Sequence, residues 1–95
     1  MKQIINGKIY NTETATEVAC GDNGLNYGDC RRRTEELYIT KNGNYFICNK
    51  NGNLIPISGD GKLAVEMPTI YDWIEQWHVA NLDEREIRVF DIKEA

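Results

Sequence analysis

Four Asn-Gly dipeptides, at Asn6-Gly7, Asn23-Gly24, Asn42-Gly43 and Asn51-Gly52, punctuate the first half of this 95-residue chain. Asparagine and glycine both tolerate the left-handed backbone that a two-residue hairpin turn demands at its central positions. Such a pair between apolar alternations therefore marks where one strand doubles back on the next. Three of the four lie in that setting, so the sequence commits most of residues 1–58 to antiparallel hairpins.

The turns also fix which side chains face one another. A two-residue turn at Asn42-Gly43 sets Ile39 opposite Phe46, Tyr38 opposite Ile47 and Leu37 opposite Cys48; one at Asn51-Gly52 sets Cys48 opposite Ile55 and Phe46 opposite Ile57. Both place Leu37, Ile39, Phe46, Cys48, Ile55 and Ile57 on one face and leave Tyr38, Tyr45 and Ile47 on the other. A slip of one residue would invert that face. The expectation is a three-stranded meander over residues 36–58, with Pro56 putting the third strand at an edge because proline cannot donate to a ladder. At the start, Asn6-Gly7 joins residues 2–5 to 8–11 and sets Ile4 against Ile9 and Gln3 against Tyr10. Residues 11–19 read as a turn followed by a strand, and the glycine-rich stretch 20–34, ending in Arg31, Arg32 and Arg33, reads as a loop with an extended edge.

Downstream, Pro68 suits a first helical turn, where its missing N–H is not needed. Ile70, Trp73, Ile74 and Trp77 follow at i, i+3, i+4 and i+7, one apolar stripe on a helix over residues 68–80. For residues 86–92 the β-branched content favours a strand, with a helix starting at Asp83 as the alternative. No repeat, linker or low-complexity segment is visible. The fold class expected is α+β: one domain over residues 1–95, with an antiparallel β-sheet of an N-terminal hairpin plus a three-stranded meander, packed by one C-terminal helix.

A chain this short buries only about 60–65% of its unfolded surface, leaving no room for a large enclosed substrate cavity. The tryptophan ridge lying over the six-residue face would leave no place for a reaction centre either. Cys20, Cys30 and Cys48 are odd in number, lack C-x-x-C spacing and are far from the lone His78. They read as reduced thiols with no metal or cofactor, Cys48 as a small core residue. His78 has no nearby serine or cysteine and reads as helix surface rather than as a base. Glu35-Glu36 and Asp83-Glu84 read as solvated surface, since strand neighbours point to opposite faces. Residues 21–24 and 58–62 read as turns, because neither completes a phosphate loop. No catalytic residue, small-molecule substrate or membrane contact is expected. The apolar run at the N-terminus is too short for an export signal, so a cytoplasmic protein is expected.

Charge is distributed unevenly. Residues 1–65 carry seven acids and eight bases, whereas residues 66–95 carry eight acids, Glu66, Asp72, Glu75, Asp83, Glu84, Glu86, Asp91 and Glu94, against Arg85, Arg88 and Lys93. An acidic surface repels nucleic acid and attracts basic protein grooves. Asp72, Glu75, Asp83, Glu84, Glu86 and Asp91 are therefore the candidate partner-binding residues. The alternative is a nucleic-acid site of Arg31, Arg32 and Arg33 with Tyr27 stacking on a base, although Glu35 and Glu36 follow and would pair with the arginines locally.

The opening Ile4-Ile5-Asn6-Gly7-Lys8-Ile9-Tyr10-Asn11-Thr12-Glu13-Thr14-Ala15, with the hairpin Glu36-Leu37-Tyr38-Ile39-Thr40-Lys41-Asn42-Gly43-Asn44-Tyr45-Phe46, resembles a family of small phage- and plasmid-borne proteins. That family pairs an N-G-K-x-Y-(D/N)-T-E-T-A start with an L-Y-x-T-K-x-G-N-(Y/F)-F hairpin and a Trp-containing C-terminal helix, and the match covers about two thirds of this chain. Some mobile-element proteins of this kind look like type II anti-CRISPR proteins. The resemblance implies an inhibitor that binds the RNA-guided CRISPR nuclease, alone or with its guide RNA, in the host bacterial cell and blocks guide RNA or target DNA engagement. It transfers no catalytic residue, because the shared positions are turn and core residues. The acidic tail and the arginine loop fall outside the matched segments.

Overall fold

Of the three hairpin turns, only the first closes in two residues. Asn6 and Gly7 both have positive φ, 51° and 75°, and join β1 (Lys2–Ile5) to β2 (Lys8–Asn11) with Ile4 opposite Ile9 and Gln3 opposite Tyr10. At the other two, only the glycine is left-handed: Gly43 at 84° and Gly52 at 82°. Gly43 N–H donates to Thr40 O and Thr40 N–H to Asn44 O; Gly52 N–H donates to Asn49 O and Asn49 N–H to Asn53 O. These are type I turns closed by a left-handed glycine, three-residue loops rather than two-residue ones.

That single extra residue moves the whole meander. β4 (Thr34–Ile39) pairs with β5 (Tyr45–Cys48) as Leu37 with Ile47, Tyr38 with Phe46 and Ile39 with Tyr45; β5 pairs with β6 (Leu54–Pro56) as Ile47 with Ile55 and Cys48 with Leu54. The register expected from two-residue turns is off by one. Phe46 and Cys48 consequently leave the face of Leu37, Ile39, Ile55 and Ile57 for the opposite one, exchanging places with Tyr45 and Ile47. β3 (Thr16–Asp22) adds a fourth strand beside β4, giving the order β3-β4-β5-β6, all antiparallel, with a bulge between Glu17 and Ala19. The turn at 12–14 leading into β3 matches the expectation, and the loop that follows is 23–33.

The sheet therefore has two working faces. On one, Leu37, Ile39, Tyr45, Ile47 and Ile55 pack with Ala19, Met67, Ile70, Trp73, Trp77 and Phe90. On the other, Phe46 and Leu54 pack with Tyr10 of the N-terminal hairpin, with Tyr38 and Cys48 alongside. Tyr38 stacks on Phe46 at 5.3 Å and Tyr10 meets it edge-on at 5.4 Å.

The structure, a computed structural model, describes residues 1–63 and 67–95; Glu66 of the acidic segment lies outside these. α1 spans Ile70–Gln76, shorter than the expected 68–80 because Thr69 is the N-cap: its Oγ1 accepts from Asp72 N. Pro68 thus precedes the helix instead of sitting in its first turn. The apolar stripe behaves as its spacing requires, with Ile70, Trp73 and Trp77 buried and Ile74 half-buried. Each buried tryptophan removes about 150–250 Å² from water, roughly 4–6 kcal/mol of transfer free energy before ordering costs. The strand expected over 86–92 is instead a second helix, α2 (Glu84–Val89), capped by Asp83, whose carboxylate accepts from Arg85 N and Glu86 N. The cap outweighs the β-branched content of so short a segment. Among the described residues two helices, not one, follow the sheet.

Both sheet edges are covered in part. Ile57 N–H bonds Tyr45 O, which fixes the ladder so that positions 54 and 56 face outward. Pro56 has no N–H to expose, and Leu54 N–H is taken by Gln3 Oε1 at 3.3 Å. At the other edge, Asp22 N–H donates to Trp77 O at 2.6 Å and Cys20 N–H to Asn81 Oδ1 at 3.3 Å. The first of these requires Gly21, where a Cβ would stand 2.7 Å from both Trp77 Cβ and Val79 Cγ2. Gly21→Ala is expected to cost more than about 2 kcal/mol in urea denaturation, since two backbones must part. Gly28→Ala, whose Cβ would meet open space, should stay within about 0.5 kcal/mol; equal effects would contradict this account of the edge.

Candidate functional site

The two helices carry the acidic residues, and their caps decide which of them face solvent. Glu75, Glu84 and Asp91 are exposed. Asp83 is exposed but occupied as the α2 cap, and Asp72 is half-buried, accepting from Thr69 Oγ1 at 2.7 Å. Glu86 is only 1% exposed, which removes it from the candidate surface. It lies one helical turn before Phe90 on the buried side of α2, and its Oε1 accepts from Tyr45 O–H at 3.3 Å while Oε2 has no partner among the described residues.

A second carboxylate is also buried. Glu35, 6% exposed, reaches under the tryptophan ridge, where Oε1 accepts from Trp73 Nε1 at 2.9 Å and Oε2 from Lys50 N at 3.0 Å. The expectation that Glu35 is solvated is thus corrected, and a buried carboxylate lies beneath the tryptophan ridge. Both groups sit where the corrected pattern puts them. Glu35 alternates with Leu37 and Ile39, and Glu86 precedes Phe90 by four. That alternation was already visible; for Glu86 the missing signal was the helix itself.

A cleft of about 400 Å³ is walled by Tyr45, Ile57, Tyr71, Val89 and Phe90, with Asp60 and Asp91 among its polar groups. Tyr71 O–H bonds Phe90 O and so ties α1 to the end of α2. Ser58 Oγ and Lys62 N–H both donate to Asp60 and hold its carboxyl below the usual carboxylate range. The 58–62 segment is a turn, as expected: Gly61, at φ 79°, donates to Ser58 O. Burial pushes the Tyr45 hydroxyl up, against a smaller opposing pull from Arg85.

The arginine loop is tied up internally, though not by Glu35 or Glu36. Arg31 binds Asp29 at 3.0 Å, Arg32 approaches Asp22 at 3.6 Å and lies 4.3 Å over the Tyr27 ring, and Arg33 donates to Cys30 O and Arg32 O. Tyr27 is 90% exposed. Arg32 approaches one face of the ring and the rest of the ring is open to solvent.

On the opposite face of the sheet, Cys20, Glu36 and Cys48 lie side by side across β3, β4 and β5. Burial first, then the neighbouring Glu36, raises both thiols; burial and Glu17 raise Glu36. Thiols held protonated are poor nucleophiles and poor ligands. Among the described residues no group of three or more His, Cys, Asp or Glu side chains could hold a metal ion. His78 is exposed, at φ 51° just past α1. Among the described residues no helix is long and apolar enough to cross a membrane. Comparison of the chain with protein-family models, with curated proteins and with solved structures finds no match.

The buried Tyr45–Glu86 pair generates a stability test. Tyr45→Phe leaves Glu86 without a hydrogen bond and is expected to cost about 1–3 kcal/mol in urea denaturation. The double variant Tyr45→Phe with Glu86→Leu should recover most of that loss, since an apolar pair needs no partner. A double variant less stable than the single would contradict this role.

Proposed function

We propose that this chain is a binding module, not an enzyme, and that it docks its α1–α2 surface on a basic surface of a protein partner. The observation that carries the reading is the exposure of Glu75, Glu84 and Asp91 on the two-helix segment, with Asp83 as the α2 cap and Asp72 in the first turn of α1. Leu37, Ile39, Phe46, Cys48, Ile55 and Ile57 are split between the two sides of the sheet, so a one-sided apolar face under the tryptophans does not exclude a reaction centre. The support is now different: Glu35 and Glu86 are engaged in holding α1 and α2 to the sheet, and Cys20 and Cys48 have raised thiol pKa values.

The partner proposed is an RNA-guided type II CRISPR nuclease, on the strength of the resemblance in residues 4–15 and 36–46. A channel built to hold a guide–target heteroduplex is positively charged, and a rigid acidic surface gains both attraction and a faster encounter there. Occluding the channel would block guide RNA or target DNA without copying either. The alternative, a regulator that grips nucleic acid through Arg31, Arg32 and Arg33, needs those side chains to leave Asp29, Asp22 and the backbone carbonyls that now hold them.

The test uses DNA cleavage by the purified nuclease. The double reversal Glu75→Lys with Glu84→Lys avoids the Asp83 cap and buried Glu86, whose substitution would disturb the fold. It is expected to weaken inhibition by about tenfold or more and to flatten its salt dependence, because like charges would then meet across the interface. Undiminished inhibition would remove the acidic-surface mechanism. A gel shift with free guide RNA would transfer support to the arginine loop, and cleaved guide would show an enzyme.

A further inference from the structure

The four Asn-Gly pairs are chemically identical in sequence, yet the fold treats them differently. We propose that Asn6 is a site of spontaneous backbone modification, converting to aspartate and isoaspartate ahead of Asn42 and Asn51, with Asn23 the most protected. In this reaction the backbone nitrogen of the glycine loses its proton and attacks the Cγ of the asparagine. An N–Cγ bond forms, the Cγ–Nδ2 bond breaks, and ammonia leaves. Water then opens the five-membered imide at either carbonyl, giving aspartate or, by the other route, isoaspartate. One water enters for each ammonia lost, and nothing is oxidised or reduced.

Two groups must be free for this step: the glycine N–H and the asparagine side-chain amide. At Asn23 both are engaged, since Gly24 N–H donates to Asp22 Oδ1 at 2.7 Å, Asn23 Nδ2 donates to Arg31 O at 3.0 Å and Asn23 Oδ1 accepts from Leu25 N. At Asn42 and Asn51 the side chains have no partner among the described residues, but Gly43 N–H and Gly52 N–H are tied to Thr40 O and Asn49 O at 3.0 and 2.8 Å. At Asn6 neither group has a partner among the described residues, because the two-residue turn leaves the amide of its second glycine position unbonded. A Cβ at Gly7 would meet nothing within 4 Å, so the turn is open to water.

The site matters because of what the hairpin covers. Isoaspartate lengthens the backbone by one carbon inside a turn that has no slack, and this breaks the Ile5–Lys8 closing pair. The inner face of the hairpin would then lose its hold: Gln3 on the Leu54 N–H and Tyr10 on Phe46. Conversion of Asn6 would thus open the β6 edge that Gln3 closes.

The full-length protein is incubated at mildly alkaline pH, folded and in denaturant, and each asparagine is followed by peptide mass mapping with isoaspartate labelling. In the folded protein, one hydrogen bond to be broken slows Asn42 and Asn51 about fivefold relative to Asn6, and Asn23 by about tenfold or more. In denaturant the differences should collapse to within about twofold, since the hydrogen bonds that make them are gone. Amide exchange at Leu54 should quicken in the converted fraction. The same order folded and denatured, or Asn23 converting as fast as Asn6, would overturn the proposal, as would unchanged Leu54 exchange after conversion for its structural consequence.

Discussion

The register of the meander, and with it which side chains meet the helices, follows from the choice of a three-residue turn over a two-residue one at Gly43 and Gly52. A type I turn spends its left-handed residue on the glycine alone and leaves Asn42 and Asn51 right-handed. The ladder then closes on Thr40 with Asn44 and on Asn49 with Asn53, and the side-chain period of two carries that offset through all of β5. Phe46 turns away from the tryptophans to the face of Tyr38, while Tyr45 and Ile47 take its side, and both faces carry buried apolar residues. Each side then needs its own cover: the helices take one, and the N-terminal hairpin takes the other.

The two covers are fastened differently. On the helix side, the fastening combines bulk with two buried carboxylates: Trp73 rests on Glu35 and Tyr45 on Glu86. Buried acids of this kind cost desolvation and contribute mainly by making one docking geometry better satisfied than its neighbours. On the hairpin side the fastening is aromatic, Tyr10 on Phe46 on Tyr38, with Gln3 closing the β6 edge. The acidic surface is a product of the first arrangement, because the caps and the buried Glu86 determine which carboxylates of the C-terminal third remain on the outside.

The sequence carried the β1–β2 hairpin to the residue, since Asn6-Gly7 follows Ile5 with no polar turn-opener before it. At the other turns Thr40 and Asn49 stand three positions ahead of the glycine, the arrangement a type I turn prefers. Their side chains accept from Asn44 N and from Asn51 N and Asn53 N. That signal was present, and the Asn-Gly pair overshadowed it. The edge position of Pro56 and the buried stripe of α1 were legible because proline's missing donor and a 3.6-residue period depend on nothing distant. For residues 84–89 the helix starting at Asp83 is the alternative that the structure adopts over the favoured strand, because in six residues a β-branched composition and an Asp83 cap compete. Of the candidate site, Glu75, Glu84 and Asp91 are on the outside, whereas Glu86 faces the core because α2 turns it towards Tyr45. The partners of the arginines, Asp29 and Asp22, come from the fold of the loop rather than from adjacency.

The most direct test of the two-sided sheet is the pattern of cross-strand Hα–Hα nuclear Overhauser contacts between β4 and β5. The three-residue turn makes Leu37 with Ile47 and Ile39 with Tyr45 the closely approaching, non-hydrogen-bonded pairs, about 4.5 Å between Cα atoms, and strong contacts are predicted there. Strong contacts between Tyr38 and Ile47 and between Thr40 and Tyr45 in their place would restore the two-residue turn, return Phe46 to the tryptophans, and contradict the account.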